Sequence, residues 1–257
     1  VSRAFNGTTD TITFSAGNAP LDQGPITIII LAKAANTSGF TGWFIRGRND
    51  GSPVWSALTS NNTGPKLFVE GDFGNGVAGL TTDRAYYVAT VPDGGGIPNW
   101  HVKNVTTDSA WAHDPDDFSV SQGSGPIDDI IVGQNFPLSI AVAAAVPAEW
   151  SEGEVEANCT LAAADLHTAI GSSGWMVRFN QSSTATSVTD DTGGGGDQTA
   201  LSGTTVDADD PPGFDYSLAA PSGPTVTVWD GAAEVAATVT VWDGTTEVTA
   251  SVDQVVT

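Results

Sequence analysis

Through its first 146 residues the chain alternates short apolar or β-branched runs with clusters of Gly, Asn, Asp and Pro. The clearest runs are Thr11–Phe14, Ile26–Leu31, Gly42–Ile45, Lys66–Val69, Ala85–Val91, Trp100–Val102 and Asp129–Val132. Runs this short, bounded by turn formers, predict strands, and their even spacing predicts a two-layer antiparallel sandwich. Tyr86 and Tyr87 are adjacent in one such run, so they point to opposite faces and at most one should face outward. The pattern changes after Val146. Ser151 stands before Glu152, Glu154 and Val155, which predicts a short helix with a side-chain cap and acids in its first turn. A second helix is predicted over Leu161–Ile170, stopped by Gly171, and one more strand over Met176–Phe179.

From there the composition turns to Ser, Thr and Asp, with the tract Gly193–Gly196 and then Pro211-Pro212-Gly213-Phe214. This predicts an extended connector over residues 181–224 that the proline pair pins to another surface. The chain then repeats itself: Thr225–Ala237 returns as Thr238–Ala250, with ten of thirteen positions identical. Each unit alternates Val and Thr at period two and closes on Trp-Asp-Gly, a hairpin signal, so residues 225–257 are expected to form a β-meander. So small a sheet hardly stabilises itself in water. Its Val and Trp face, with Trp229 and Trp242, is therefore the candidate assembly surface.

Composition narrows the partners. Eight Lys and Arg stand against 30 Asp and Glu, a formal net charge of −22, which repels a phosphate backbone and argues against nucleic-acid binding. An anionic membrane surface is disfavoured for the same reason, and the apolar run Ile26–Ala32 is far too short to span a bilayer. The first residues lack the apolar segment of a signal peptide, so synthesis in a cytosol without export is expected. Cys159 is the lone cysteine, which leaves stability to packing, a bound ion or oligomerisation.

The segment Phe5-Asn6-Gly7-Thr8-Thr9-Asp10-Thr11-Ile12-Thr13-Phe14 resembles the opening strand pair of LamG or concanavalin A-like jelly-roll domains. Pro126-Ile127-Asp128-Asp129-Ile130-Ile131-Val132 and Trp150-Ser151-Glu152-Gly153-Glu154-Val155 resemble that family's closing strand and helix. The resemblance covers about residues 1–180. It implies an all-β, concanavalin A-like antiparallel jelly roll with short helices after the last strands. The C-terminal part, with Asp209-Asp210-Pro211-Pro212-Gly213-Phe214-Asp215 and the Trp-Asp-Gly repeat, resembles structural proteins of phages that infect actinobacteria, usually described as minor tail proteins. This implies a virion surface protein that contacts other virion proteins and host cell-surface glycan, as a homo-oligomer. A capsid decoration or head-fibre protein without a ligand is the alternative.

Family members often hold Ca²⁺ at a rim of the sandwich with Asp oxygens; Asp10 and Asp128 are the positions here, although no legume-type Asp-x-Asn calcium loop can be read. Sugar binding in such folds uses flat aromatic faces, and Trp43, Trp55, Trp100 and Trp111 lie in or beside loops rich in Asn, Asp and Gly. Glu152, Glu154 and Glu156 mimic the acid spacing of glucanases. On a strand they would share a face, whereas on the predicted helix they diverge, so no enzyme activity is expected and a glycan depolymerase is the third alternative. His101, His113 and His167 have no metal-ligand spacing, and no nucleophile elbow or phosphate loop is present.

Overall fold

The strand-and-turn pattern folds as an antiparallel β sandwich with two short helices in the computed structural model. The residues described are 2–6, 10–15, 25–34, 42–49, 52–60, 64–69, 72–73, 81–93, 96–115, 127, 129–134, 137–181, 185, 187–192, 204–207, 213–218, 226–229 and 234–237. In chain order the first strands are β1 (Ser2–Asn6), β2 (Ile12–Ser15), β3 (Ile26–Ala34), β4 (Gly42–Asn49), β5 (Ser52–Ser60), β6 (Gly64–Val69) and β7 (Asp72–Phe73). Then come β8 (Arg84–Val91), β9 (Asn99–Asn104), β10 (Ala112–Pro115), β11 (Asp129–Gln134) and β12 (Pro137–Val146). Helices α1 (Glu152–Asn158) and α2 (Ala163–Ile170) precede β13 (Trp175–Arg178), β14 (Thr205–Asp207), β15 (Val226–Trp229) and β16 (Glu234–Ala237).

Among the described residues, one sheet has the order β10-β9-β8-β3-β12-β1-β14, with β13 also paired to β12, and the second has the order β2-β11-β4-β5-β6-β7. Strand β12 carries two neighbours along one edge: residues 137–140 pair with β1 and residues 142–145 with β13. The register of β12 against β3, on its other edge, shifts between Ile140 and Val142 at the level of this exchange, and the Ala141 carbonyl accepts from Phe179 N at 2.8 Å. The inner faces pack aromatic against aromatic. Phe44 stacks on Tyr87 at 5.3 Å, Phe14 meets Trp175 edge-on at 5.1 Å, and Phe5 meets Phe179 edge-on at 6.3 Å.

Antiparallel sheets commonly leave one face to water. The larger sheet does not: every position of β8, and all but Lys33 in β3, is buried. Ile29, Leu31, Tyr86, Val88, Val142 and Met176 form a second apolar layer with Trp150, Val155, Cys159 and Leu166 from the helical segment. Each large aliphatic side chain buried there stabilises by roughly 1.5–3 kcal/mol. Helix α1 begins as predicted, on a reciprocal box in which Glu154 N donates to Ser151 Oγ and Ser151 N donates to Glu154 Oε2 at 2.8 Å. Helix α2 ends at Gly171, whose φ of +58° suits glycine.

A buried cation crosses this outer face. Arg84 Nη1 donates to Ser139 O at 2.7 Å, Nη2 donates to Ser2 Oγ at 3.1 Å, and Nη2 lies 3.9 Å from Asp207. One guanidinium thereby ties β8 to β12, β1 and β14.

The chain divides into two compact units, Val1–Ser217 and Leu218–Thr257. Much of the expected connector is built into the first. Thr205–Asp207 pairs with β1, Asp215 exchanges backbone hydrogen bonds with Leu161 and Ala163, and Arg178 donates to the Tyr216 carbonyl. Short polar stretches form strand there because a sheet edge and exposed carbonyls supply partners that composition alone does not reveal. In the second unit β15 and β16 pair antiparallel, Val226 opposite Ala237 and Trp229 opposite Glu234. The remainder of the expected meander lies outside the described residues. No helix among the described residues is long and apolar enough to cross a membrane.

Gly133 takes φ +66°, and a Cβ built there would overlap the Phe5 ring. Gly133→Ala should therefore cost about 2–4 kcal/mol, from overpacking and left-handed strain together, read as a lower urea midpoint.

Candidate functional site

The covered face ends at the β9–β10 hairpin. Its turn forms because Asn104 Oδ1 accepts from Thr106 N at 2.9 Å and Thr107 N at 3.0 Å, an Asx-type closure, while Asp108 takes φ +50° and bonds Lys103 at 3.1 Å. The register places His113 directly opposite His101, and His101 opposite Val88. Alternation keeps Trp111 and His113 on the same side, two residues apart.

A chain of polar contacts results. Thr90 Oγ1 lies 3.4 Å from His101 Nε2, His101 Nδ1 lies 2.7 Å from His113 Nδ1, and His113 Nε2 lies 2.9 Å from Glu156 Oε1 on α1. Exposure rises along it, from 1% at His101 to 20% at the His113 side chain and 51% at Glu156. The two imidazoles meet edge to face. The Trp111 ring is half-buried, stacked at 6.0 Å on Tyr86 and at 6.3 Å on His113. Tyr86 is fully buried beneath, and its hydroxyl donates to the Thr160 carbonyl at 2.8 Å. Burial, with the neighbouring Cys159 and Tyr216, pushes the Tyr86 phenol well above its ordinary range, so it stays neutral. Burial, helped by His113 and opposed by Glu156, pulls His101 down to about 4.

The chain resembles a nucleophile–base arrangement only superficially. Thr90 is 1% exposed beneath the helical cover, out of reach of a substrate. Nor does it form a metal site: the two nitrogens face each other at 2.7 Å, whereas two ligands at about 2.0–2.1 Å from one zinc need a wider gap. Among the described residues no group of three or more His, Cys, Asp or Glu is arranged to hold an ion.

The residues singled out from the sequence scatter. Trp100 lies opposite Ala89 and is fully buried in the core between the sheets. It offers no ring face to a sugar, because strand alternation turns it inward while its neighbour His101 turns outward. Trp111 alone of the four has a described, part-exposed ring. Trp43 and Trp55 sit on β4 and β5, with side chains outside the described residues. Asp10 is buried and closes the β1–β2 turn, accepting from Asn6 N at 2.8 Å. Asp128 and Trp242 lie outside the described residues, and Trp229 is placed on β15 by its backbone. The acids 152, 154 and 156 do lie on a helix: Glu154 serves the cap and Glu156 binds His113. Both tyrosines are buried, Tyr87 inward and Tyr86 under the helices, because the outer face is covered.

Sequence spacing missed the histidine pair. Positions 101 and 113 are twelve apart, and only the hairpin register joins them.

A separate pocket of about 210 Å³ is lined by Ala4, Phe5, Lys33, Ala34, Leu138, Ser139 and Asp207. Its polar lining holds both charge signs, and Ser139 is already engaged by Arg84 and Ser2. It selects no ligand class.

The chain matches no protein-family profile and no curated protein sequence. Among solved structures it is similar to full-length tailspike protein 2 from Escherichia coli O157:H7 bacteriophage CAB120, at 12% identity and a TM-score of 0.39. The similarity covers 60% of this chain and 23% of the tailspike.

Ser151→Ala removes the cap that starts α1 and so loosens the helix carrying Glu156. A loss of about 1 kcal/mol in chemical unfolding is expected, with faster amide exchange in residues 154–158.

Proposed function

We propose that this chain is a non-enzymatic virion surface protein whose first unit is a concanavalin A-like jelly roll that binds host-envelope glycan. The observation that carries the ligand reading is the part-exposed Trp111 ring at the sheet edge, stacked on Tyr86 and on His113 at centroid distances of 6.0 and 6.3 Å. A supported aromatic face beside imidazole and carboxylate groups suits a sugar ring, whose apolar side stacks and whose hydroxyls hydrogen-bond. The −22 charge is consistent with a neutral or cationic glycan and with exclusion of nucleic acid. Support for a virion setting comes from the sequence resemblance of the C-terminal part. Calcium beside Asp10 and Asp128 belongs to the same reading.

A purely architectural role is the second reading, favoured by the hairpin β15–β16. So small a sheet, two strands among the described residues, is marginal in water, and another virion protein or a second copy of the chain would cover it.

The test is a pull-down of the purified protein on actinobacterial cell envelopes, with and without chelator and competing envelope sugars. Sugar-competable binding is expected, and Trp111→Ala should weaken it about tenfold or more with the fold retained by circular dichroism. A folded protein that does not bind would overturn the glycan reading in favour of the architectural one. Chelator sensitivity would support the calcium.

A further inference from the structure

We propose that the Glu156–His113–His101 chain is a proton-operated latch, which holds edge strand β10 and its Trp111 onto the sandwich near neutral pH and releases them in acid. The geometry allows one proton, and no more, between the two rings. At 2.7 Å, Nδ1 of one imidazole must donate and Nδ1 of the other must accept. Two protonation patterns satisfy every group. In one, His113 carries both protons, facing the Glu156 carboxylate and His101, and His101 donates through Nε2 to Thr90. In the other, His101 donates through Nδ1 to a neutral His113, which donates to Glu156, while the Thr90 hydroxyl donates to His101 Nε2. The first pattern holds one proton more than the second, and the contact accommodates either; a fourth proton on the pair puts hydrogens on both facing nitrogens, and the contact cannot persist.

Something must then move, and the surroundings decide what. His101 is held in the covered layer between β8 and the helices, at 1% exposure. Strand β10 is an edge strand of four residues paired to β9. Its outward groups are half-buried or exposed, so it is the cheaper part to release. Among the described residues the charged and titratable groups facing the pair are few. From α1 comes Glu156, with Glu152 one turn earlier; from β9 comes Lys103, engaged by Asp108; Asp114, next to His113 on β10, lies opposite Trp100 and so alternates to the other face. From β8 and the link between the helices come Tyr86 and Cys159, both kept neutral by burial. Among the described residues Glu156 is the anion in contact with the pair, and it touches His113, so it holds that ring on the helix side while the His101 contact breaks.

The sign follows from linkage. The His101 value of about 4 in the closed state lies below the ordinary 6.5, so the open form binds more protons between those values. The latch's stabilisation is complete above about pH 6.5 and is lost as pH falls toward 4.

The test is amide hydrogen exchange on the full chain from pH 7 to 4.5, corrected for intrinsic rates, in the wild type and in His101→Phe, which keeps a buried ring without a titrating nitrogen. In the wild type, protection of residues 110–115 should fall tenfold or more while β3 and β12 keep theirs; in His101→Phe that segment should lose its pH dependence. Should His101→Phe fail to fold, His101→Gln replaces it, which keeps hydrogen-bonding groups beside Thr90 and His113 without a titrating nitrogen, with the same loss of pH dependence expected. Wild-type protection of 110–115 that does not change with pH, or an equal fall in the folded variant, would overturn the latch. This measurement needs no glycan, so it stands or falls apart from the role given to Trp111; where that role holds, envelope binding should decline over the same pH range.

Discussion

The demand that shapes this protein is that the central strands of its larger antiparallel sheet are buried on both faces. A sandwich satisfies one face by packing on the second sheet. The other face of β3, β8 and β12 is equally apolar, carrying Ile29, Leu31, Val88 and Val142, and would be a large exposed patch without a cover. The segment from Trp150 to Ile170 exists, in physical terms, to meet that demand. Its two helices are too short to be stable alone, so they depend on the sheet as much as the sheet depends on them.

Covering a sheet also traps polar groups, and each trapped group becomes a tie, either to the cover or between strands of the sheet. Thr27 Oγ1 donates to Ala148 O at 2.7 Å and accepts from Trp150 N at 2.9 Å, which sets where the chain leaves β12. Tyr86 reaches the link between α1 and α2. Arg84 satisfies its guanidinium across three further strands. His101 finds Thr90 on one side and His113 on the other. Leaving any such group unpaired would cost about 1–3 kcal/mol, so these bonds specify one docking of the cover among many that apolar contact alone would permit.

Local signals were the legible part of the sequence. Ser151 with Glu154, Gly171, and the strand runs at 26–31, 85–91 and 129–132 all appear where their chemistry requires. Other strands stayed hidden, among them β12, because Ala141–Ala145 reads equally well as helix, β5, because Pro53 interrupts its pattern, and the short β7, β10 and β14, which lack an apolar run. What could not be read was anything dependent on register. Trp100 and His101 are adjacent in sequence, and only the pairing of β9 with β8 decides that the tryptophan enters the core and the histidine meets His113. The role of the helices as a cover, and hence the burial of Tyr86, depended likewise on which face of the sheet remained apolar.

The exit of the chain from its first unit has a mechanical meaning. Tyr216 is held through its carbonyl by Arg178, whose guanidinium is itself gripped in bidentate fashion by Asp191, with Nε–Oδ2 at 2.7 Å and Nη2–Oδ1 at 2.8 Å. Asp215 is joined to Leu161 and Ala163 on either side of the link that precedes α2. Tension applied beyond Leu218 is therefore received by a staple of charge-assisted and backbone bonds before it reaches the three-residue pairing of β14. Load enters at the helical cover and β13, which is bonded along β12, so the pull is spread over the middle of the sheet and does not peel its weakest edge.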